Sequence, residues 1–250
     1  MSESATWPDG VSRHILPRCP STNAEALRLA PKLSGPAWVL THDQYEGRGR
    51  RGRAWAMPKG NFAASLALKP QGDAGQAAQY SFVAALALYD ALGQAAGPAV
   101  RLALKWPNDV LLNGGKIAGI LLESSGHGGR VDVLAIGMGV NLAAAPPTDP
   151  NAAFAPVSVY EESGMKIGPE EFLDILAPAF AAWEARLLNE GFGPIRDAFM
   201  ARAARLGETI TARTGTAEFT GRFEGIDDAG SLILITAAGR QTVPAADVFF

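Results

Sequence analysis

The sequence has one cysteine, Cys19, in 250 residues. An intrachain disulfide framework is therefore excluded, and the chain suits a reducing compartment. Long apolar runs are missing as well: no stretch approaches the roughly 18 residues that a membrane span needs. The opening segment MSESATWPDG has neither a basic flank nor a continuous apolar stretch, which argues against a secretory signal. Excess charge of one sign is scarce too, with a net charge of −3 from 22 basic and 25 acidic residues. The field of the whole molecule thus calls for neither nucleic acid nor an anionic membrane. No internal repeat and no low-complexity tract interrupts the chain. These absences leave a cytoplasmic globular protein, long enough for one large domain and one small one.

What is present falls into an ordered series of elements. Residues 1 to 20 read as a short lead-in. Thr22 and Glu25 have capping-box spacing ahead of Ala26, Leu27, Ala30 and Leu33, so Ser21, Thr22 and Asn23 belong at a helix N-terminus. Ala37 to Thr41 reads as a strand. Asn61 to Lys69 alternates as a strand covered on one face, and Gln76 to Ala96 reads as a helix packed on that sheet. Val100 to Leu104, a hairpin turning at Asn113-Gly114, and Val131 to Val140 supply further strands. Residues 169 to 204 read as two helices, the first carrying Pro178. From about Gly207, short strands separated by turns predict a small β-barrel. Residues 1–205 therefore form one domain and 206–250 another.

Against this mild acidity, Arg48, Arg50, Arg51 and Arg53 crowd into six residues among Gly47, Gly49 and Gly52. Guanidinium forks suit phosphate and carboxylate. Packed this closely they repel, so the loop is expected to settle only around an anion. The competing readings are a solvated charge run or an RNA-binding patch, and for Trp55 a place in the core. The second cluster is Lys105-Trp106-Pro107-Asn108-Asp109 with Lys116 beyond the hairpin turn. Taken singly, Lys116 is an edge charge and Asp109 a turn cap. Together, the hairpin folds amide, carboxylate and ammonium towards one sheet end. Gly137 and Gly139 mark either a β-bulge or a floor under a ligand, with Asn141 beside it.

These motifs, with Ser21-Thr22-Asn23 and Gln44, occur in the order and spacing of the bacterial biotin protein ligases, which the chain resembles over residues 14 to 145. The resemblance implies an α+β fold: a mixed β-sheet flanked by helices, of the class II synthetase and biotin–lipoate ligase kind, followed by a small C-terminal SH3-like β-barrel. It implies that Ser21, Thr22, Asn23 and Gln44 meet the ureido ring of biotin. Arg48, Gly49, Arg50 and Lys116 then serve biotin and the reacting phosphate. Arg48, Arg50 and Lys116 are the catalytic cations. Arg53, Trp55, Lys105, Asn108, Asp109 and Asn141 fall on the ATP side. It implies biotin and ATP as substrates, Mg²⁺ riding on the phosphates rather than on a protein metal site, and a biotin carboxyl carrier protein or carrier domain as acceptor. A monomer or homodimer is expected, with no membrane partner. Only about 20 residues precede Ser21, so the family's DNA-binding domain is not expected. Tyr45-Glu46 departs from the smaller residues usual in this loop. The rivals are a lipoate or octanoate ligase on the same fold, an RNA-binding module, and a biotin sensor without catalysis.

Overall fold

A computed structural model describes residues 6–70, 72–128, 130–148 and 153–250. In chain order it begins with β1 (Ser12–Leu16), α1 (Thr22–Leu29), β2 (Ala37–Thr41), β3 (Phe62–Leu68) and α2 (Ala74–Ala96). There follow β4 (Leu102–Lys105), β5 (Asp109–Leu112), β6 (Gly115–Ser125) and β7 (Val133–Val140). Three helices come next: α3 (Val159–Ser163), α4 (Pro169–Glu190) and α5 (Phe192–Met200). The chain closes with β8 (Thr209–Arg213), β9 (Glu218–Ile226), β10 (Leu232–Thr236), β11 (Gly239–Val243) and β12 (Asp247–Phe249).

Seven strands make one mixed sheet in the order β1-β2-β3-β7-β6-β5-β4. β1 lies parallel to β2, and every other neighbour is antiparallel. The lead-in therefore contains an edge strand that short, weakly alternating SRHIL did not announce. One face of this sheet is covered by α2 and α4, with α5 packed on those two helices. Phe62, Leu66, Ile136, Met138 and Val140 point that way, and edge-to-face pairs such as Phe62 with Phe172 at 5.1 Å lock the layers.

The opposite face is built of small residues, and this decides where a ligand can lie. Across it run Ala63, Ser65 and Ala67 of β3, paired with Gly139, Gly137 and Ala135 of β7. Among the described helices α1 alone covers this side, packing Ala26 on Val39, Ala67 and Ala135. At eight residues it is about 12 Å long, too short to roof the whole face. β3 is buried on both sides rather than on one, because α1 takes the face left to solvent in the sequence reading. The cap of α1 is Ser21, whose hydroxyl accepts from the Ala24 N–H at 3.4 Å. Thr22 is thus the first helical residue, and Glu25 pairs with Arg28 at 2.6 Å instead of closing a capping box.

The C-terminal strands form a second sheet, all antiparallel, in the order β11-β10-β9-β8-β12. The expected barrel is not closed among the described residues: β11 and β12 are the two edges. Trp106 ties the sheets together, its indole N–H donating to the Gly230 carbonyl at 2.9 Å.

Candidate active site

A cleft of about 300 Å³ opens over the uncovered part of the large sheet. Ser21, Thr22, Asn23, Gln44, Arg48, Gly49, Arg50, Arg53, Trp55, Lys105, Asn108, Asp109, Lys116 and Asn141 all line it. Residues up to 120 positions apart in the chain thus share one cavity. Its floor is the glycine pair of β7, where the ladder to β3 and β6 runs without a register shift, so no bulge is present there. A Cβ on Gly137 would stand 2.5 Å from the Asn23 amide oxygen. A Cβ on Gly139 would stand 2.4 Å from the Trp55 indole. Glycine is required here by close approach rather than by φ.

One end of the cleft is a neutral polar network. Gln44 Oε1 accepts from the Thr22 N–H at 2.9 Å and from the Thr22 hydroxyl at 3.2 Å. Asn23 donates to Glu123 Oε2 at 2.8 Å and to the Leu121 carbonyl at 3.2 Å. Ser65 Oγ lies 2.7 Å from both Thr22 Oγ1 and Asn23 Oδ1, and its single proton serves one of them at a time. Ser65 is fully buried. Nothing in FAASLAL distinguishes it from a tolerated small residue, and only the topology sets it beside α1.

The other end is ionic. Asp109 stands between Lys116, at 2.6 Å, and Lys105, at 3.2 Å. Lys105 is opposite Asp109 in the β4–β5 ladder. Lys116 reaches the same face through a register shift between Val110 and Leu111, an added residue in β6. Side chains alternate along a strand, so in a ladder that kept the same residues without that shift the lysine would share the face of Ala118 and point into the α2 core. Burial alone would push the Asp109 carboxyl up, but Lys116 and Lys105 outweigh it and hold it below its usual range. Burial pushes the Lys105 ammonium down against the pull of Asp109. Asp109 is thus a firmly ionised counter-charge, poorly suited to act as a base or to leave its lysines for a metal. Asn108 donates to the Ile120 carbonyl at 2.6 Å, and Asn141 donates to the Val157 carbonyl at 3.0 Å. Both asparagines hold walls of the cleft.

The arginine loop is a small hairpin. The Gly49 N–H donates to the Arg53 carbonyl at 2.7 Å and the Trp55 N–H to the Gly47 carbonyl at 2.8 Å, with the tip at Arg50–Gly52. Trp55 is half-buried over Gly139 and Gly119, in the cleft rather than the core. The anion around which the loop settles is the chain's own Asp247. Its carboxylate takes Arg51 at 2.8 Å and Arg53, and lies 4.0 Å from Arg50. Burial lowers the Arg50 guanidinium, and Asp247 offsets part of that effect. Asp247, Val248, Phe249 and Phe154 also line the cleft. None was singled out in the sequence, because the C-terminal strands read as a separate module.

Known proteins share this sequence and this fold. Residues 15–141 match the model described as the biotin/lipoate A/B protein ligase family. The chain belongs to that family. Residues 206–250 match the biotin protein ligase C terminal domain. A biotin–[acetyl-CoA-carboxylase] ligase of Paracoccus denitrificans is 67% identical over 239 residues, 94% of this chain and 99% of that protein. The bifunctional ligase/repressor BirA of Bacillus subtilis is 32% identical across 91% of this chain and 70% of that one. The solved structure of biotin protein ligase from Aquifex aeolicus in complex with biotin and ATP superposes with a TM-score of 0.80. It covers 95% of this chain and 98% of that one at 23% identity, and it supports the fold. The large sheet, its flanking helices and the C-terminal sheet are those of this family.

Proposed function

We propose that the chain is an ATP-dependent biotin–[acetyl-CoA-carboxylase] ligase. It makes biotinyl-5′-AMP from biotin and ATP, then transfers the biotinyl group to a lysine of a biotin carboxyl carrier protein or carrier domain. The observation that carries this reading is the polarity of the cleft. A neutral donor–acceptor network and a cluster of cations lie at opposite ends of one glycine floor. A cyclic urea offers two N–H donors and one carbonyl acceptor, which Ser21, Thr22, Asn23 and Gln44 satisfy. An alkyl chain with a dithiolane head carries no N–H donor and no carbonyl to meet those groups, which disfavours a lipoate substrate.

In the first step a carboxylate oxygen of biotin attacks the α-phosphorus of ATP, and the bond to the bridging oxygen breaks to release pyrophosphate. Two anions approach each other, so Lys116, Arg48 and Arg50 supply the positive field that the crowded phosphorus requires. In the second step the acceptor amine attacks the acyl carbon, the carbon–oxygen bond to AMP breaks, and an amide forms with loss of a proton. Trp55, Arg53 and the Asn108 and Asn141 walls enclose the nucleotide half, and the arginine hairpin excludes water from the anhydride. Among the described residues no cluster of three His, Cys, Asp or Glu offers a metal cage. In this reading magnesium arrives on the phosphates of ATP, with Asp109 held by its two lysines.

Residues 1–205 carry this chemistry, and 206–250 form the small domain that closes its nucleotide end. No described helix is long and apolar enough to cross a membrane, and we place the reaction in the cytoplasm with a monomer or homodimer as the working unit. Biotin-dependent exchange of labelled pyrophosphate into ATP tests the first step, and transfer of biotin to a carrier domain tests the second. Exchange driven equally by lipoate, or no exchange at all, would overturn the assignment.

A further inference from the structure

Asp247 is the one carboxylate that the C-terminal sheet sends into the cleft, and it sits where positive charge is densest. Arg51 Nη1 and Arg53 Nη2 both donate to its Oδ2. Arg50 Nη1 lies 4.0 Å from its Oδ1 and donates to the neighbouring Ala246 carbonyl at 3.1 Å. One negative charge faces three guanidiniums, which leaves two positive charges uncompensated. Two guanidinium forks converging on one oxygen is the arrangement that a phosphate oxygen seeks. The carboxylate side chain keeps only 19% of its surface exposed, and what is exposed looks into the cleft.

A polyphosphate entering that cleft meets a carboxylate already holding the donors it needs. The two anions repel at contact distance, and in a partly desolvated site the repulsion is weakly screened. Asp247 opens β12, a three-residue edge strand paired only with β8 through Asp247–Arg213, Val248–Ala212 and Phe249–Thr211. Ala246 and Val248 on either side are buried, so the strand is anchored and it is the Asp247 side chain that lets the arginines go.

We propose that Asp247 is a built-in competitor of the nucleotide's phosphates. It keeps Arg50, Arg51 and Arg53 folded over the empty cleft, yields them when polyphosphate arrives, and recaptures them as pyrophosphate leaves. The natural displacing ligand, a nucleoside triphosphate, rests on the adenylating reading given above. The exchange of anions itself does not.

Inorganic pyrophosphate serves as the probe, titrated calorimetrically into the full chain and into its Asp247→Asn and Asp247→Glu variants. Loss of the competing charge is expected to tighten pyrophosphate about tenfold in Asp247→Asn, while Asp247→Glu stays within about twofold of the parent. Equal or weaker binding by a folded Asp247→Asn protein would overturn the proposal. Should that variant not fold, hydrogen exchange on the unsubstituted chain decides. Pyrophosphate should slow exchange at residues 48–54 and speed it at 246–250. Slowing at both segments would mean that Asp247 holds the arginines together with the phosphate, and failure of the chain to bind pyrophosphate would also defeat the idea. If pyrophosphate acts as expected while biotin-dependent exchange into ATP is absent, only the adenylating reading falls.

Discussion

The Lys116 ammonium lies 2.6 Å from the Asp109 carboxylate, and that contact aims the only lysine of the β5–β6 hairpin along the floor of the cleft. Lys116 is one-third exposed while Asp109 is nearly buried. The carboxylate thus fixes the lysine from beneath and leaves its open side for a ligand.

Replacing Lys116 with alanine should therefore separate chemistry from binding. Adenylate formation is expected to fall by about 10²–10³. Biotin affinity, carried by the neutral network, should change less than about tenfold. Single-turnover rates alongside calorimetric biotin titration give the two numbers, and equal losses in both would count against a role in the reacting centre.

On the proposed reading the two floor glycines divide the cleft between biotin and ATP. Gly137→Ala drives a methyl into Asn23, and Gly139→Ala drives one into Trp55. The first should weaken biotin about tenfold or more with a smaller effect on ATP, and the second the reverse. Two titrations per variant suffice, and identical damage to both ligands would contradict the division.

Ser65→Ala removes the hydroxyl shared by Thr22 and Asn23. Thr22 keeps Gln44 and Asn23 keeps Glu123, so the helix end loses order rather than its place. Stability should drop by about 1 kcal/mol and biotin affinity by about five- to tenfold, read by urea unfolding and calorimetry. An unchanged biotin affinity would mean that the buried serine is only filler.

Acid should weaken the fold through Asp109. Its carboxyl is held below the ordinary 3.8, so its contribution is complete above that value and is lost as pH falls through the lower folded value. Asp109→Asn leaves two lysines without their shared counter-charge. It should cost about 3–5 kcal/mol at neutral pH, with the gap to the parent narrowing below about pH 4. Urea unfolding at several pH values measures this, and a gap independent of pH would refute it.

Much of this was legible in the chain itself. β2 carries five consecutive apolar or β-branched residues and was bounded correctly, and Asn113 and Gly114 turn with φ of 50° and 90°, as the pair requires. The cleft residues were legible because glycine, arginine and amide cluster at spacings that packing alone does not explain. β1 escaped because an edge strand needs little periodicity. The open C-terminal sheet and Asp247 escaped for another reason. An aspartate three residues from the end of a β module has no local signature, and its meaning comes from the arginines that tertiary folding brings to it, 194 positions away in the case of Arg53.

The added residue in β6 has a consequence for reading relatives of this chain. A hairpin that kept the same residues but ran without the shift would spell the same lysine after the same turn, yet its ammonium would emerge on the face of Ala118, among the leucines beneath the sheet. Lettering would be preserved and chemistry lost. In this stretch the place where the ladder shifts matters as much as which residues are present, and an alignment that slides a gap through Lys116–Gly119 discards the information that places the charge.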